Sequence, residues 1–338
     1  MKRTAAAGPC FLERKRCFSV KLPPVQIKEG RERHGGSAFA RGHPQQPYTA
    51  IVRIGRKSRL IAQERGCRMK KKILLCLIAA LLLSGCCGLL CAAAEAKWPQ
   101  GSSSGQKTNG KLKLDVTNIS EGYFMASVTE KTTHRMKMRV VKDGETLTYD
   151  LNGDCKFEVF PLQLGSGKYE VSLYENVSGK KYSSAGKVTL NVTLTREDGC
   201  FLYPNQYVNY EEATKAVQVA NKLCAGKTEK ETYTLIRKYI TENYAYDFIR
   251  SVTVAAGELP DIDYCYEKKM GVCQDLSALM VCMLRSQGIP AKLMIGYADK
   301  NYHAWTVTII DAKEVFFDPT AALNAISKPV SYSVERYY

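Results

Sequence analysis

Two hydrophobic periods divide the chain. Between residues 111 and 198, apolar side chains recur at every second position: Leu112, Leu114, Val116; Met136, Met138, Val140; Cys155, Phe157, Val159; Tyr169, Val171, Leu173; and Val188, Leu190, Val192, Leu194. A period of two marks strands with one buried face. Asp143-Gly144, Gly165-Ser166-Gly167 and Ser178-Gly179 punctuate the runs. About seven short strands are expected, the pattern of a small β-sandwich.

From residue 200 onward the period changes to that of helices. Ala213, Val217 and Ala220 predict a helix over 211–224, closed by Gly226. Thr228 and Glu231 form a capping box, followed by the stripe Tyr233, Ile236, Ile240, Tyr244. Residues 251–269, with Gly257 and Pro260, read as a long loop bordering a substrate cleft. Leu276, Leu279, Met280, Met283 and Leu284 then form one stripe of an amphipathic helix, stopped at Gly288 and Pro290. Strands over 291–297 and 302–310 follow, joined by a polar turn. On the second, His303, Trp305, Val307 and Ile309 share a face and predict a buried row. A third strand ends at Pro319. The predicted fold class is α+β: an all-β, sandwich-like domain over 111–198, then a mixed domain over 200–338.

Charge changes the reading of the N-terminus. The formal net charge is +16, but residues 1–72 hold 19 Lys+Arg against 4 Asp+Glu, and the remainder hold 30 against 29. The part that folds is nearly neutral, which argues against a nucleic-acid partner. Residues 1–68 read as a basic disordered leader, outside the translated product if Met69 is the start. Met69-Lys70-Lys71-Lys72 and the apolar run 73–83 resemble a secretory signal over 69–96. Leu83-Ser84-Gly85-Cys86 resembles a bacterial lipobox, making Cys86 the candidate lipidation site. Ala94-Glu95-Ala96 is a rival cleavage site, and the uncharged 22 residues 73–94 are long enough to span a bilayer as an anchor. In each case the lysines place residues beyond Lys97 outside the cytoplasm, on a bacterial cell surface, tethered by 97–110. Sequons at Asn118, Asn176 and Asn191 matter only in a eukaryotic secretory route.

Cys273 opens the third predicted helix. Unpaired N–H groups and the helix dipole favour negative charge there, which enriches the nucleophilic thiolate. Cys282, in mid-helix, reads as a small hydrophobe. Of four histidines, His34 and His43 lie in the leader, and His134 reads as a solvated strand residue, a poor metal candidate. His303 remains, and a hairpin brings Asp318 beside it from the next strand. Thiol, imidazole and carboxylate in that order are what acyl transfer requires.

Gly271-Val272-Cys273-Gln274-Asp275, Tyr302-His303-Ala304-Trp305 and Phe316-Phe317-Asp318-Pro319-Thr320, with the three polar groups at spacings of 30 and 15 positions, resemble the transglutaminase-like superfamily. That family is similar to papain-type cysteine proteases in its Cys–His–Asp core. The resemblance implies that Cys273 is the nucleophile, His303 the general base and acid, and Asp318 the orienting group. It implies a protein or peptide substrate and a thioester acyl-enzyme, with no cofactor. Tyr246-Asp247 recurs in such domains, with Tyr246 either an oxyanion donor or a packed aromatic. Glu258, Asp261, Asp263 and Glu267 lack EF-hand spacing and read as a solvated loop, leaving no metal site.

Water is the favoured acceptor, giving a cysteine peptidase or amidase. A lysine acceptor would give a cross-linking transglutaminase, with walls drawn from Tyr244, Tyr246, Tyr264, Tyr266, Tyr302 and Trp305. A non-catalytic surface adhesion or scaffold module is the alternative of another class. Seven of the thirteen cysteines precede residue 97. Besides Cys273, that leaves Cys155, Cys200, Cys224, Cys265 and Cys282, with Cys200 and Cys224 candidates for a disulfide across the first helix.

Overall fold

The computed structural model describes residues 95–326 and 328–338; the leader, nearly all of the signal segment and the lipobox with Cys86 lie outside the described residues. Eight strands come first, one more than the alternation predicts: β1 (Gln106–Asn109), β2 (Leu112–Asp115), β3 (Tyr123–Val128), β4 (Met136–Lys142), β5 (Glu145–Leu151), β6 (Glu158–Pro161), β7 (Gly167–Ser178) and β8 (Lys181–Val192). They form two four-stranded antiparallel sheets, ordered β1-β2-β3-β6 and β5-β4-β7-β8. Leu112 and Leu114, Met136, Met138 and Val140, and Val171 and Leu173 are buried, as the period of two requires. Cys155 departs from the pattern: it is exposed, between β5 and β6, with φ 67.

Residues 97–110 are not the expected flexible tether. β1 pairs with β2, and the Asp115 carboxylate accepts the Ser102 N–H at 2.7 Å. A Cβ at Gly105 would meet Thr117 Oγ1 at 2.0 Å, so this glycine permits close packing where composition alone suggests slack.

The remaining elements are α1 (Lys215–Cys224), α2 (Glu229–Asn243), β9 (Ala245–Tyr246), α3 (Phe248–Thr253), α4 (Ile262–Lys268), β10 (Met270–Gly271), α5 (Cys273–Arg285), β11 (Ala291–Ala298), β12 (Asn301–Ile310), β13 (Lys313–Phe317), α6 (Pro319–Leu323) and β14 (Tyr332–Tyr337). A four-stranded antiparallel sheet is ordered β13-β12-β11-β14. The capping box at Thr228 and Glu231 is present. The long loop expected over 251–269 is about half helical, with residues 254–261 between two short helices: Asp247 caps α3 through the Arg250 N–H, and Asp261 caps α4 through the Tyr264 N–H, both at 2.8 Å. Helices of two turns or fewer are too short to show a clear period.

α5 is more deeply placed than an amphipathic stripe implies. Every residue from Asp275 to Arg285 is buried, with α1, α2 and α4 around it and β11 and β12 beneath. Its far end is locked by Arg285, whose guanidinium donates to the carbonyls of Ala291, Tyr203 and Tyr338 at 2.7–2.9 Å. One buried cluster runs from Leu112 through α5 to Tyr338, so 111–198 and 200–338 share a core. All six cysteines of the described residues are free, so the link between Cys200 and Cys224 is absent and both thiols are simply buried.

Candidate active site

Cys273 is placed by short-range geometry. β9 and β10 pair in parallel, with Gly271 opposite Tyr246, and the Asp247 N–H donates to the Gly271 carbonyl at 3.0 Å. A Cβ on Gly271 would stand 2.8 Å from Cys265 Sγ and 2.9 Å from Asp275 Cβ, so glycine is needed where the chain enters α5. Cys273 is the first residue of that helix and is partly exposed.

One buried carboxylate holds this entrance, and the sequence reading missed it. Asp275 is fully buried, and its oxygens accept the N–H groups of Val272 at 3.2 Å and Asp261 at 3.0 Å and the Arg250 Nε–H at 3.0 Å. Arg250 also pairs with Glu258 at 2.7 Å, and the Gln274 side chain donates to the Glu258 carbonyl. Three of the four loop acids are therefore engaged: Glu258 by Arg250, Asp261 in a cap, and Glu267 by Lys215. Among the described residues no cluster of three metal-ligating side chains forms. The signal available in sequence was an acid two residues after the cysteine, at the third position of the helix, where it can accept the N-cap amide.

His303 and Asp318 meet as the hairpin predicts. Nε2 of the imidazole lies 2.8 Å from Asp318 Oδ2, leaving Nδ1 as the ring nitrogen available to the thiol. Burial works against charge on His303, but the hydrogen bond to Asp318 and the neighbouring Cys273 outweigh it and raise the imidazole to about 9. Burial likewise opposes ionisation of Asp318, yet hydrogen bonds from His303, the Ala321 N–H and Tyr332 hold the carboxyl below its usual range. Asp318 is also the N-cap of α6, accepting the Ala321 N–H at 3.0 Å. The row containing His303 is not the fully buried one. Ala304, Thr306, Thr308 and Ile310 are buried, and of the other face only Trp305 is. Ser277 of α5 donates to the Ala304 carbonyl at 3.2 Å, tying the helix to the strand beside His303.

The four buried thiols are unsuited to attack. Burial pushes Cys200 up to about 12 and Cys224 to about 11, and drives Cys265 and Cys282 higher still. Tyr246 is near the nucleophile: burial and the neighbouring Cys273 push its phenol up, and its ring packs on Phe248 at 5.0 Å. The other aromatics named as tunnel walls have different work. Trp305 is buried, Tyr244 and Tyr266 pack around Lys269, Tyr264 donates to Asp247, and Tyr302 accepts from Arg336. His134 is exposed and pairs with Glu175 at 2.9 Å.

A thiol at the mouth of a buried helix, beside a histidine on an antiparallel sheet that is paired with an aspartate at the next helix cap, defines an α+β domain arranged for cysteine chemistry. Residues 217–319 match the Transglutaminase-like superfamily, so this segment is transglutaminase-like. No curated protein matches the sequence. Among solved structures, the chain is similar to a provisionally assigned cysteine protease from Cytophaga hutchinsonii, with 16% identity, a TM-score of 0.35, and coverage of 69% of this chain and 83% of that one. It is similar to the periplasmic domain of TgpA from Pseudomonas aeruginosa, bound to ethylmercury, with 13% identity, a TM-score of 0.32, and coverage of 67% and 79%. A provisionally assigned protease from Parabacteroides distasonis gives 15% identity, a TM-score of 0.28, and coverage of 58% and 37%.

Proposed function

We propose that this protein is an exported cysteine peptidase or amidase. The observation that carries the reading is the 2.8 Å His303–Asp318 pair set against a partly exposed thiol at the start of α5. Cys273 Sγ attacks the carbonyl carbon of a peptide or amide. The oxyanion that forms is received by first-turn amides of α5 that have no intrahelical acceptor. The His303 imidazolium gives its proton to the leaving amine as the C–N bond breaks, leaving a thioester on Cys273. Neutral His303 then takes a proton from water, whose oxygen attacks the thioester and releases the acid and the thiolate, restoring the thiolate–imidazolium pair. Asp318 keeps Nε2–H oriented and stabilises the imidazolium throughout.

Hydrolysis is favoured over lysine transfer because shielding a thioester from water needs walls. Of the six aromatics that were candidates for those walls, five are held in other contacts, and Tyr246 is the one beside Cys273. Export rests on the signal-like residues 69–96, and lipid anchoring rests on the lipobox at Cys86.

The test is intact-mass spectrometry of the full chain from its native host after incubation with an activated peptide ester. The expected species starts at lipidated Cys86 and gains one acyl group, which Cys273→Ala lacks while keeping its circular dichroism spectrum. His303→Ala should be as severe as Cys273→Ala, and Asp318→Asn no more so. An adduct that persists in Cys273→Ala refutes the mechanism. Residues 1–68 on the mature chain refute the signal reading. Amine adduct exceeding hydrolysed product at sub-millimolar primary amine would assign the transferase instead.

A further inference from the structure

The hydrogen bonding around Asp318 includes a partner that lies beyond the matched segment. Tyr332, the first residue of β14, donates its hydroxyl to Asp318 Oδ2 at 2.8 Å, the same oxygen that receives His303 Nε2–H. With the Ala321 amide on Oδ1, the carboxylate has three donors from three elements, and its side chain is 4% exposed. A carboxylate with so little water depends on these donors for its charge.

Tyr332 is itself held in place. Its ring stands 5.0 Å from Trp305, 4.8 Å from Phe316 and 6.5 Å from His303. β14 reaches this position through a register shift at Ile295 and Gly296, and a Cβ on Gly296 would meet the Ser333 carbonyl at 2.0 Å. Gly296 is also the β11 residue opposite His303, so the glycine that admits β14 lies in register with the imidazole.

We infer that Tyr332 is a positioning residue for the His303–Asp318 pair, extending the thiol–imidazole–carboxylate set to a fourth member. The inference rests on the thiol chemistry proposed above. Burial first, then the Asp318 carboxylate, push the phenol up, so it remains a donor wherever the enzyme works. The groups facing this carboxylate are His303 from β12, Tyr332 from β14 and the amide of Ala321 from its own helix; Asp299, in the β11–β12 turn, is the other acid acting on Tyr332. Loss of the hydroxyl removes a donor to the ionised form, so Asp318 protonates at higher pH. Protonated Asp318 no longer stabilises the imidazolium, and the thiolate it supports is lost with it.

The experiment measures alkylation of Cys273 by iodoacetamide against pH in the full chain, resolved from the other cysteines by peptide mass spectrometry. In Tyr332→Phe, which keeps the ring, the acid limb should move to higher pH, and turnover of an activated peptide ester should fall roughly tenfold with KM little changed. Phe316→Leu loosens the same aromatic cluster without touching the carboxylate. It should lower the thermal midpoint and leave the acid limb in place, which a purely structural role for Tyr332 would do as well. Coincident acid limbs in wild type and Tyr332→Phe overturn the inference. A wild-type profile that follows an unassisted thiol overturns the underlying thiol–imidazole reading instead, and the inference with it.

Discussion

Arg250→Ala tests whether the entrance to α5 is held by charge. The guanidinium is about one-fifth exposed and pairs with an Asp275 carboxylate that has no exposure at all. Removing one member of a fully buried pair costs roughly 3–5 kcal/mol, because the other charge is left without a partner. Here the figure is smaller, for two reasons. Asp275 keeps the N–H groups of Val272 and Asp261, and water can reach the space the arginine leaves. The expected loss is therefore about 2–3 kcal/mol, a substantial share of a typical 5–15 kcal/mol stability. In a unit of this size it corresponds to roughly 5–10 °C in thermal midpoint. Denaturant titration of the full chain, followed by tryptophan fluorescence, gives the free energy. The double variant Arg250→Ala with Asp275→Asn should recover part of the loss, since it removes the stranded charge. A single-variant loss below about 0.5 kcal/mol, or a double variant no better than the sum of its parts, would refute the reasoning.

Other perturbations follow from the same geometry. The raised imidazole of His303 predicts an activity profile whose basic limb lies near pH 9, measured as initial rate against pH. The linked stability has a definite sign: the His303 contribution is fully present below the ordinary histidine value and is lost as pH rises through about 9. Asp318, held low, contributes above the ordinary carboxylate range and loses that contribution as pH falls through its depressed value. Denaturation of wild type and His303→Ala at several pH values should converge on the alkaline side, and divergence there would contradict this account. Gly296→Ala forces a Cβ to within 2.0 Å of the Ser333 carbonyl, so β14 must shift. The expected cost is about 1–3 kcal/mol with a matching drop in turnover, read by thermal unfolding and rate together.

The three candidate site residues were legible in the sequence because each is announced by its local setting. Cys273 stands where a helical period begins, His303 on an alternating strand, and Asp318 before a proline that ends a strand. The period-two runs of 111–198 likewise announce paired sheets, since burial of one strand face needs no knowledge of the partner. The eighth strand escaped notice because β1, Gln106–Asn109, is exposed along its length and shows no alternation. α3 and α4 escaped because two turns or fewer cannot establish a period. Neither Arg250 nor Tyr332 has any local signal. Each lies well apart in sequence from the carboxylate it serves, Arg250 by 25 residues from Asp275 and Tyr332 by 14 from Asp318. Their roles arise only when the core closes, because a buried carboxylate must collect donors from whichever elements the packing brings near.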